Sequence, residues 1–481
     1  MKRYMKGLFA LLLAFGIVFG VTACNWEGGE EQGGFEDESY LAQLTGNETE
    51  VKILYASAMG LGAGYADQLI PKREAVLTPD RAENGYNEVA QYFITRALYN
   101  YNVDENQVRL NYLDWGWDND LAQKMTAAFL AWDNGNGQRS EPDVIIGESQ
   151  MRSYAEQGLL QPYPQELEDW VRENMLPAAY QDMELEDTDG DGKGEIYGCA
   201  MDASPQVLLW NKTLLRQCGF DEEFIENGPA TWDEWIAAEE QVLTAKGVRK
   251  SGGGLYAGDN TGGILRVYPF IEQAGGKIKN EDGSPDFDNA GVEAAFQLVR
   301  DLSEQNTTEY SVVPVVEVDY YEDFRKGKIA FVTGGSYEVG SWIDFGNSLG
   351  DIGWCRIPVQ NEGDAALTNT IGSIYLSVPN WNTDNAEKAF EVIKSHFVDE
   401  VQSVVAERDF KTTNRKGMED AVKGKIQEVA YNILSNDEIV YLPSFTTTDT
   451  ISKLTQALNK AALYKTYGNQ TIAQILAEAA K

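Results

Sequence analysis

The stretch Asp187-Thr188-Asp189-Gly190-Asp191-Gly192-Lys193-Gly194-Glu195 puts carboxylates at loop positions one, three and five and glycine at six. A hard dication such as calcium takes about six to eight oxygen ligands on a sharply turned backbone, and this spacing supplies several of them. The Lys193 carbonyl and Glu195 at position nine extend the set, but position twelve is Gly198 where a bidentate glutamate would complete it. The missing ligand argues against a high-affinity sensor. Two readings stand: a structural calcium site completed by a ligand from elsewhere, and an acidic solvated turn. No other cofactor is expected.

A second constellation is aromatic. Trp115 and Trp117 stand in L-D-W-G-W-D, and Tyr337 and Trp342 in G-S-Y-E-V-G-S-W. Flat C–H faces of sugar rings pack on such rings, and their hydroxyls take carboxylates and amides at the edges. Asp118, Glu148, Asp202, Asp259 and Asn260 are candidates for those edges, with Ser149, Ser204, Tyr256 and Ser373 beside them. Tryptophan is more often core than platform, and Trp210, Trp232 and Trp235 are assigned to packing.

Catalysis finds little support. His396 is the single histidine and reads as a surface or half-buried helical residue. No zinc site with two histidines can form, a Ser-His-Asp triad would have to use that one residue, and no serine nucleophile elbow is expected. No phosphate-cradling Walker loop occurs, and the glycine-rich M-G-L-G-A-G-Y lacks both the spacing and the following helix of a dinucleotide fingerprint. Paired carboxylates could serve a glycosidase, yet among 76 acidic residues proximity of two carries no information. With 39 basic residues the formal charge is −37, which repels phosphate backbones and excludes nucleic acid as a partner.

These groups need a scaffold, and 481 residues with a 43% apolar share suit two domains. Val51–Ala56, Val108–Leu113 and Pro142–Gly147 read as strands; Asn87–Tyr99 and Leu121–Trp132 read as helices between them. The alternation predicts a doubly wound, mostly parallel sheet, with ligands beyond the strand ends where Glu148 and Ser149 lie. A buried strand Val207–Trp210 leads into a short helix ending at Gly219. Thr231 and Glu234 then form a capping box for a helix that buries Trp232, Trp235, Ile236, Val242 and Leu243. Tyr256, Asp259 and Asn260 fall in a loop, Leu255–Gly263. Helices at Val267–Ala274, Asn289–Ser303 and Ala386–Phe397, and strands at Ile329–Thr333 and Ser373–Val378, complete the pattern. Cys199, Cys218 and Cys355 allow at most one disulfide.

The N-terminus is built for export. Lys2, Arg3 and Lys6 precede the apolar run Leu8–Val21. Val21-Thr22-Ala23-Cys24 resembles the bacterial lipobox, which implies a cleaved signal at 1–23 and lipid on Cys24. Residues 24–48, acidic and rich in glycine, read as a tether.

From about Glu50 onward the order of motifs resembles the extracellular solute-binding proteins of ABC sugar importers. The carriers are W-N-K with T-W-D-E, P-D-V-I-I-G-E-S with G-L-L, F-R-K-G-K with G-G-S-Y, and the final Q-T-I-A-Q-I-L-A-E-A. The resemblance implies a two-lobe α/β fold of the type II periplasmic-binding kind, each lobe a doubly wound, mostly parallel sheet. Lobe 1 would comprise 49–198 and 375–441, and lobe 2 would comprise 199–374 and 442–481. Crossings are expected near Gly198–Ser204, Asn369–Tyr375 and Tyr441–Thr446. It also implies that Trp115 and Tyr337 face the cleft. The expected protein is a monomeric, lipid-anchored, extracytoplasmic binding protein that captures a carbohydrate, an oligosaccharide above all, by hinge closure and hands it to separate ABC permease subunits. A peptide or polyamine ligand, a glycan-active surface enzyme and a non-transport adhesin are the competing readings.

Overall fold

Parallel pairing builds the first sheet, because β-branched and large apolar residues recur where a twice-covered strand needs them. β1 (Thr49–Tyr55) lies parallel to β2 (Val108–Asp114), with Val51 opposite Leu110 and Ile53 opposite Tyr112. Val144, immediately before β3 (Ile145–Gly147), bridges Ile53 in the same direction. Two shorter strands, β4 (Leu160–Gln161) and β5 (Cys199–Ala200), follow. The helix Asp118–Ala131 covers this sheet with Leu121, Met125, Ala128 and Phe129, the buried side of a helical spacing. The computed structural model describes residues 49–55, 108–115, 118–132, 142–148, 150–188, 190–248, 250–258, 261–306, 317–399, 402–403, 410–436, 438–443 and 448–480. The expected signal, lipidated Cys24, tether and Asn87–Tyr99 helix lie outside them.

A second core surrounds β6 (Val207–Asn211), which is buried along its whole length. β7 (Phe331–Gly334) and β8 (Ile352–Arg356) flank it, both antiparallel to it. Asn211 ends the strand and caps the next helix, its Oδ1 accepting from Leu214 N at 2.9 Å. The expected capping box is present: Thr231 Oγ1 accepts from Glu234 N, and Glu234 Oε2 accepts from Thr231 N, both at 3.3 Å. Trp210, Trp232 and Trp235 are core residues, as expected. Gly353 is required where it stands, since a Cβ there would lie 2.1 Å from the Trp210 indole.

β9 (Tyr375–Pro379) returns the chain to the first sheet and pairs antiparallel with β3, β4 and β5. The expected mostly parallel arrangement holds: β1 to β5 run one way with β9 alone against them, and β7 and β8 run together against β6. Strands that start inside a lobe run toward its ligand edge, whereas β6 and β9 enter from the other lobe at that edge and must run away from it. Direction thus follows from where the chain enters.

The crossings lie side by side. Met201 N donates to Ile374 O at 2.8 Å, Ile371 N to Ser204 O at 2.7 Å and Gln206 N to Asn369 O at 2.8 Å. A third segment joins them, with Val440 N donating to Thr368 O at 2.7 Å. Residues 374–398 pack with the first core, and the helices Thr448–Ala462 and Ile472–Ala479 with the second. The helix Ile426–Ser435, placed in lobe 1 by the sequence, buries Ile426 and Ile433 against second-lobe Val207 and Leu209. Its Tyr431 and Leu434 meet Leu176, Ala178 and the crossing residue Ala203. Apolar residues on two sides of one helix let it wedge between lobes. Cys199, Cys218 and Cys355 are all free.

Candidate functional site

Where the crossings meet the ends of the first-lobe elements, the chain leaves a small recess that is partly open to solvent. Residues 369–375 and 440–442 supply much of its wall. Glu148, one residue beyond β3, and Asp182, in a single 3₁₀ turn at Gln181–Met183, close it from the first lobe; Leu265 comes from the second. This is the position that a strand-end rule assigns to a ligand.

Its electrostatics centre on Asp182. The Tyr375 hydroxyl lies 3.5 Å from Asp182 Oδ2, and Arg152 sits 3.5 Å from Oδ1 while donating to the Asp182 carbonyl at 2.7 Å. Burial raises the Asp182 carboxyl from its ordinary value to about 6, against the pull of Arg152. Burial also drives the Tyr375 phenol far upward, with the Asp182 charge adding to it, so this hydroxyl stays a donor. On the second-lobe side, Asn369 Nδ2 donates to Leu265 O at 2.5 Å.

Of the residues chosen from sequence, Glu148 and Ser373 line the recess. Tyr337 is half-buried beside it, close enough that a Cβ on Gly372 would lie 3.2 Å from its ring. Trp115 packs half-buried on the first core, its carbonyl accepting from Lys124 Nζ at 2.8 Å. Tyr256 and Trp342 are corrected to core residues: Tyr256 packs against Tyr320 at 5.8 Å, and Trp342 against Phe324 at 5.0 Å with its indole N–H on Ser348 O. Asp202 and Ser204 are buried in the first crossing and do not line the recess. Asp202 Oδ2 lies 2.7 Å from Lys411 Nζ, and the Ser204 carbonyl belongs to the crossing ladder. Asp118 begins its helix, and Trp117, Ser149, Asp259 and Asn260 fall outside the described residues.

The acidic loop folds around its own backbone. Asp187 accepts from Gly190 N at 2.6 Å and Gly192 N at 2.9 Å, and Asp191 accepts from Lys193 N at 2.7 Å. Glu195 Oε1 accepts from Thr188 N at 2.5 Å. Among the described residues, which exclude Asp189, no three acidic or sulfur or imidazole groups converge as a metal site. The Lys193 ammonium lies 3.8 Å from Asp191 and 3.6 Å from Asp169.

Several residues of the recess escaped sequence reasoning. Asp182 sits in a turn with no periodic pattern, and Asn369, Thr370 and Tyr375 were read only as a crossing. The expectation that no serine nucleophile elbow occurs is corrected: Gly346-Asn347-Ser348-Leu349-Gly350 has its G-x-S-x-G spacing. Ser348 is exposed and accepts from Gly350 N at 3.2 Å, in a turn that leads into β8 with no strand-to-helix elbow. The chain's one histidine, His396, is corrected from a surface or half-buried position to full burial, with Nδ1 2.8 Å from Val392 O, and burial lowers it to about 4. No triad can be assembled from these two.

Asp182 yields a pH prediction. Its folded-state value lies above the unfolded one, so the native state holds the extra proton and stability declines as pH rises from about 4 to about 6. Asp182→Asn removes that slope. Thermal unfolding of both proteins between pH 4 and pH 7 should show the variant gaining on the wild type as pH rises; parallel curves would refute it.

Residues 100–429 match the sequence pattern described as bacterial extracellular solute-binding protein. An arabinooligosaccharide-binding protein of Halalkalibacterium halodurans is 25% identical over 154 residues, 31% of this chain and 32% of its own, so the match spans about a third of that relative. Solved structures share the fold. The GacH receptor of Streptomyces glaucescens, solved unliganded and with acarbose, has a TM-score of 0.64 at 16% identity, covering 90% of this chain and 97% of its own. A solute-binding protein of Thermotoga lettingae bound with α-D-tagatose scores 0.65 at 16% identity, with 90% and 98% covered. A cyclic α-maltosyl-1,6-maltose-binding protein of Arthrobacter globiformis scores 0.62 at 20% identity, with 90% and 97% covered. Two lobes joined by paired crossings are thus the fold of these binding proteins, and the match over residues 100–429 places the chain in the family of bacterial extracellular solute-binding proteins.

Proposed function

We propose that the protein captures a carbohydrate, an oligosaccharide above all, in the recess at the crossings and delivers it to the permease of an ABC importer. One observation carries the reading: the recess is walled by both lobes and by the crossings themselves, so closing the lobes changes every wall at once. A ligand that contacts the closed form more fully shifts the population toward it, and closure is the signal a membrane partner can recognise. The lining is suited to neutral polyols, with the Asn369 amide, the Ser373 and Tyr375 hydroxyls and the Tyr337 ring at hand. The names of its relatives, binding proteins for arabino-oligosaccharide and for cyclic maltosyl-maltose, support the ligand class and support binding over turnover.

Two acidic groups, Glu148 and Asp182, also suit a cationic solute, and a polyamine is the second reading. A thermal-shift panel of maltotriose, mannotriose, arabinotriose and spermidine separates them. A rise in melting temperature with at least one sugar is the expected result, and a rise with spermidine alone sinks the carbohydrate reading.

We further infer lipid attachment at Cys24, where it follows a basic and apolar leader. Wild type expressed in a bacterial host should partition with membranes and Cys24→Ala should not; equal partitioning refutes the anchor. For the acidic loop we retain structural calcium, supported by Gly192 at φ 86° at the sharp turn of the pattern. Millimolar calcium should raise the melting temperature relative to a chelator, and coincident transitions would leave only a solvated turn.

A further inference from the structure

Two polar atoms in the recess have no hydrogen-bond partner among the described residues. They are Asn369 Oδ1 and Ser373 Oγ, on side chains 1% and 4% exposed. Neither arises from freedom in the assignment of the amide, because Asn369 Nδ2 is committed to Leu265 O at 2.5 Å, which fixes Oδ1 as an acceptor. Buried polar atoms are almost always paired, so orphans that line a cleft mark where a ligand completes the set. Gly372, at φ 72°, lets the chain bend between the two residues, and the Tyr337 ring lies against that bend.

We propose that the return crossing itself reads the ligand: Asn369 Oδ1 accepts from one sugar hydroxyl, and Ser373 Oγ exchanges a hydrogen bond with a second. The inference rests on the carbohydrate reading above and names the groups that would select within it. A hydroxyl both donates and accepts, so a pair of them satisfies the amide oxygen and either role of the serine. An ammonium group donates only, which serves Asn369 and leaves the Ser373 proton without an acceptor. The same strand pairs with the first crossing through Gln206 N on Asn369 O and Ile371 N on Ser204 O. Recognition and the geometry of the lobe junction are therefore carried by one stretch of backbone, and the identity of hydroxyls at two ring positions is read where the lobes meet.

Ser373→Ala is the discriminating variant, since it deletes an unpartnered hydroxyl and little else. Calorimetric titration with maltotriose, mannotriose and arabinotriose is compared with the ligand-free melting temperature of the same protein. The expected outcome is an unchanged or higher ligand-free melting temperature, with affinity for the sugar that binds wild type reduced about ten- to hundredfold. A monodeoxy form of that sugar should lose the same factor on wild type and lose nothing on Ser373→Ala, because the partner has already gone. Asn369→Ala should weaken the sugar as well, with a lower ligand-free melting temperature from loss of the Leu265 bond. Affinity in Ser373→Ala within about twofold of wild type, or a drop of several degrees in its ligand-free melting temperature, overturns the assignment while the carbohydrate reading stands. Failure of all three sugars to bind wild type overturns that reading and this inference with it.

Discussion

Everything else in this molecule depends on the pairing of two strands that pass between its lobes. Backbone hydrogen bonds from Met201, Gln206 and Ile371 tie 201–206 to 369–374, and Val440 adds a third segment at Thr368. A buried backbone must place its N–H and C=O groups somewhere, and a single strand crossing between two cores would leave both edges unsatisfied. Two crossings satisfy each other. The arrangement then dictates the sheets: β6 and β9 enter at the cleft edge, so they run antiparallel to their neighbours, while β1, β2 and β3 run toward that edge and β3 ends at the recess.

What secures the ribbon on its first-lobe side is a polar brace. Asn414 Nδ2 donates to Ala200 O at 2.8 Å, and Gln402 Nε2 donates to Met201 O and His396 O, both at 3.0 Å. Thr413 Oγ1 and Asn414 N in turn donate to Gln402 Oε1. The neighbouring Lys411 meets the buried Asp202, and Thr412 reaches Ser336 in the second lobe at 3.2 Å. Desolvating a carboxylate is costly, and such pairs contribute less net stability than specificity of arrangement. Here that specificity is positional: the segment 410–414 touches both lobes and the crossing between them. Both ends of the first crossing are held by side chains. The carbonyls at 200 and 201 accept from Asn414 and Gln402. At the other end Thr368 Oγ1 donates to Gln206 O at 2.9 Å, while Gln206 Nε2 donates to Arg266 O at 3.0 Å.

Local pattern made much of this legible. The Val207–Trp210 strand, the Thr231 capping box and the packing role of three tryptophans each rest on interactions within a few residues, and each appears as expected. The positions of the crossings came from a motif order spread over the whole chain. The mostly parallel arrangement was legible in the alternation of elements, but the reversal of β6 and β9 was not, because a strand buried on both faces has the same composition whichever way it runs, and β9 reads like β3. Tyr256 and Trp342 were misplaced for a related reason: an aromatic near a strand end suits a ligand platform and a core equally, and only tertiary packing separates them. Asp182 had no signal at all, being one acid among 76 in a turn without a period.

The recess is thus made mostly of backbone that had to be there for another reason, and this shapes what it can recognise. Polar residues at Thr368, Asn369 and Ser373 are almost wholly buried, which would be a liability in an ordinary strand. In a crossing they are tolerable because the backbone is paired and because Asn369 and Ser373 face the recess. Asp182 follows the same logic from the other side: burial holds its carboxyl near 6, and Arg152 and the Tyr375 hydroxyl keep it oriented at the recess wall. A ligand that supplies donors to this wall repairs an incomplete set of hydrogen bonds. Its binding energy is then largest in the conformation that brings the walls together, and differential affinity of that kind is what moves a two-state hinge.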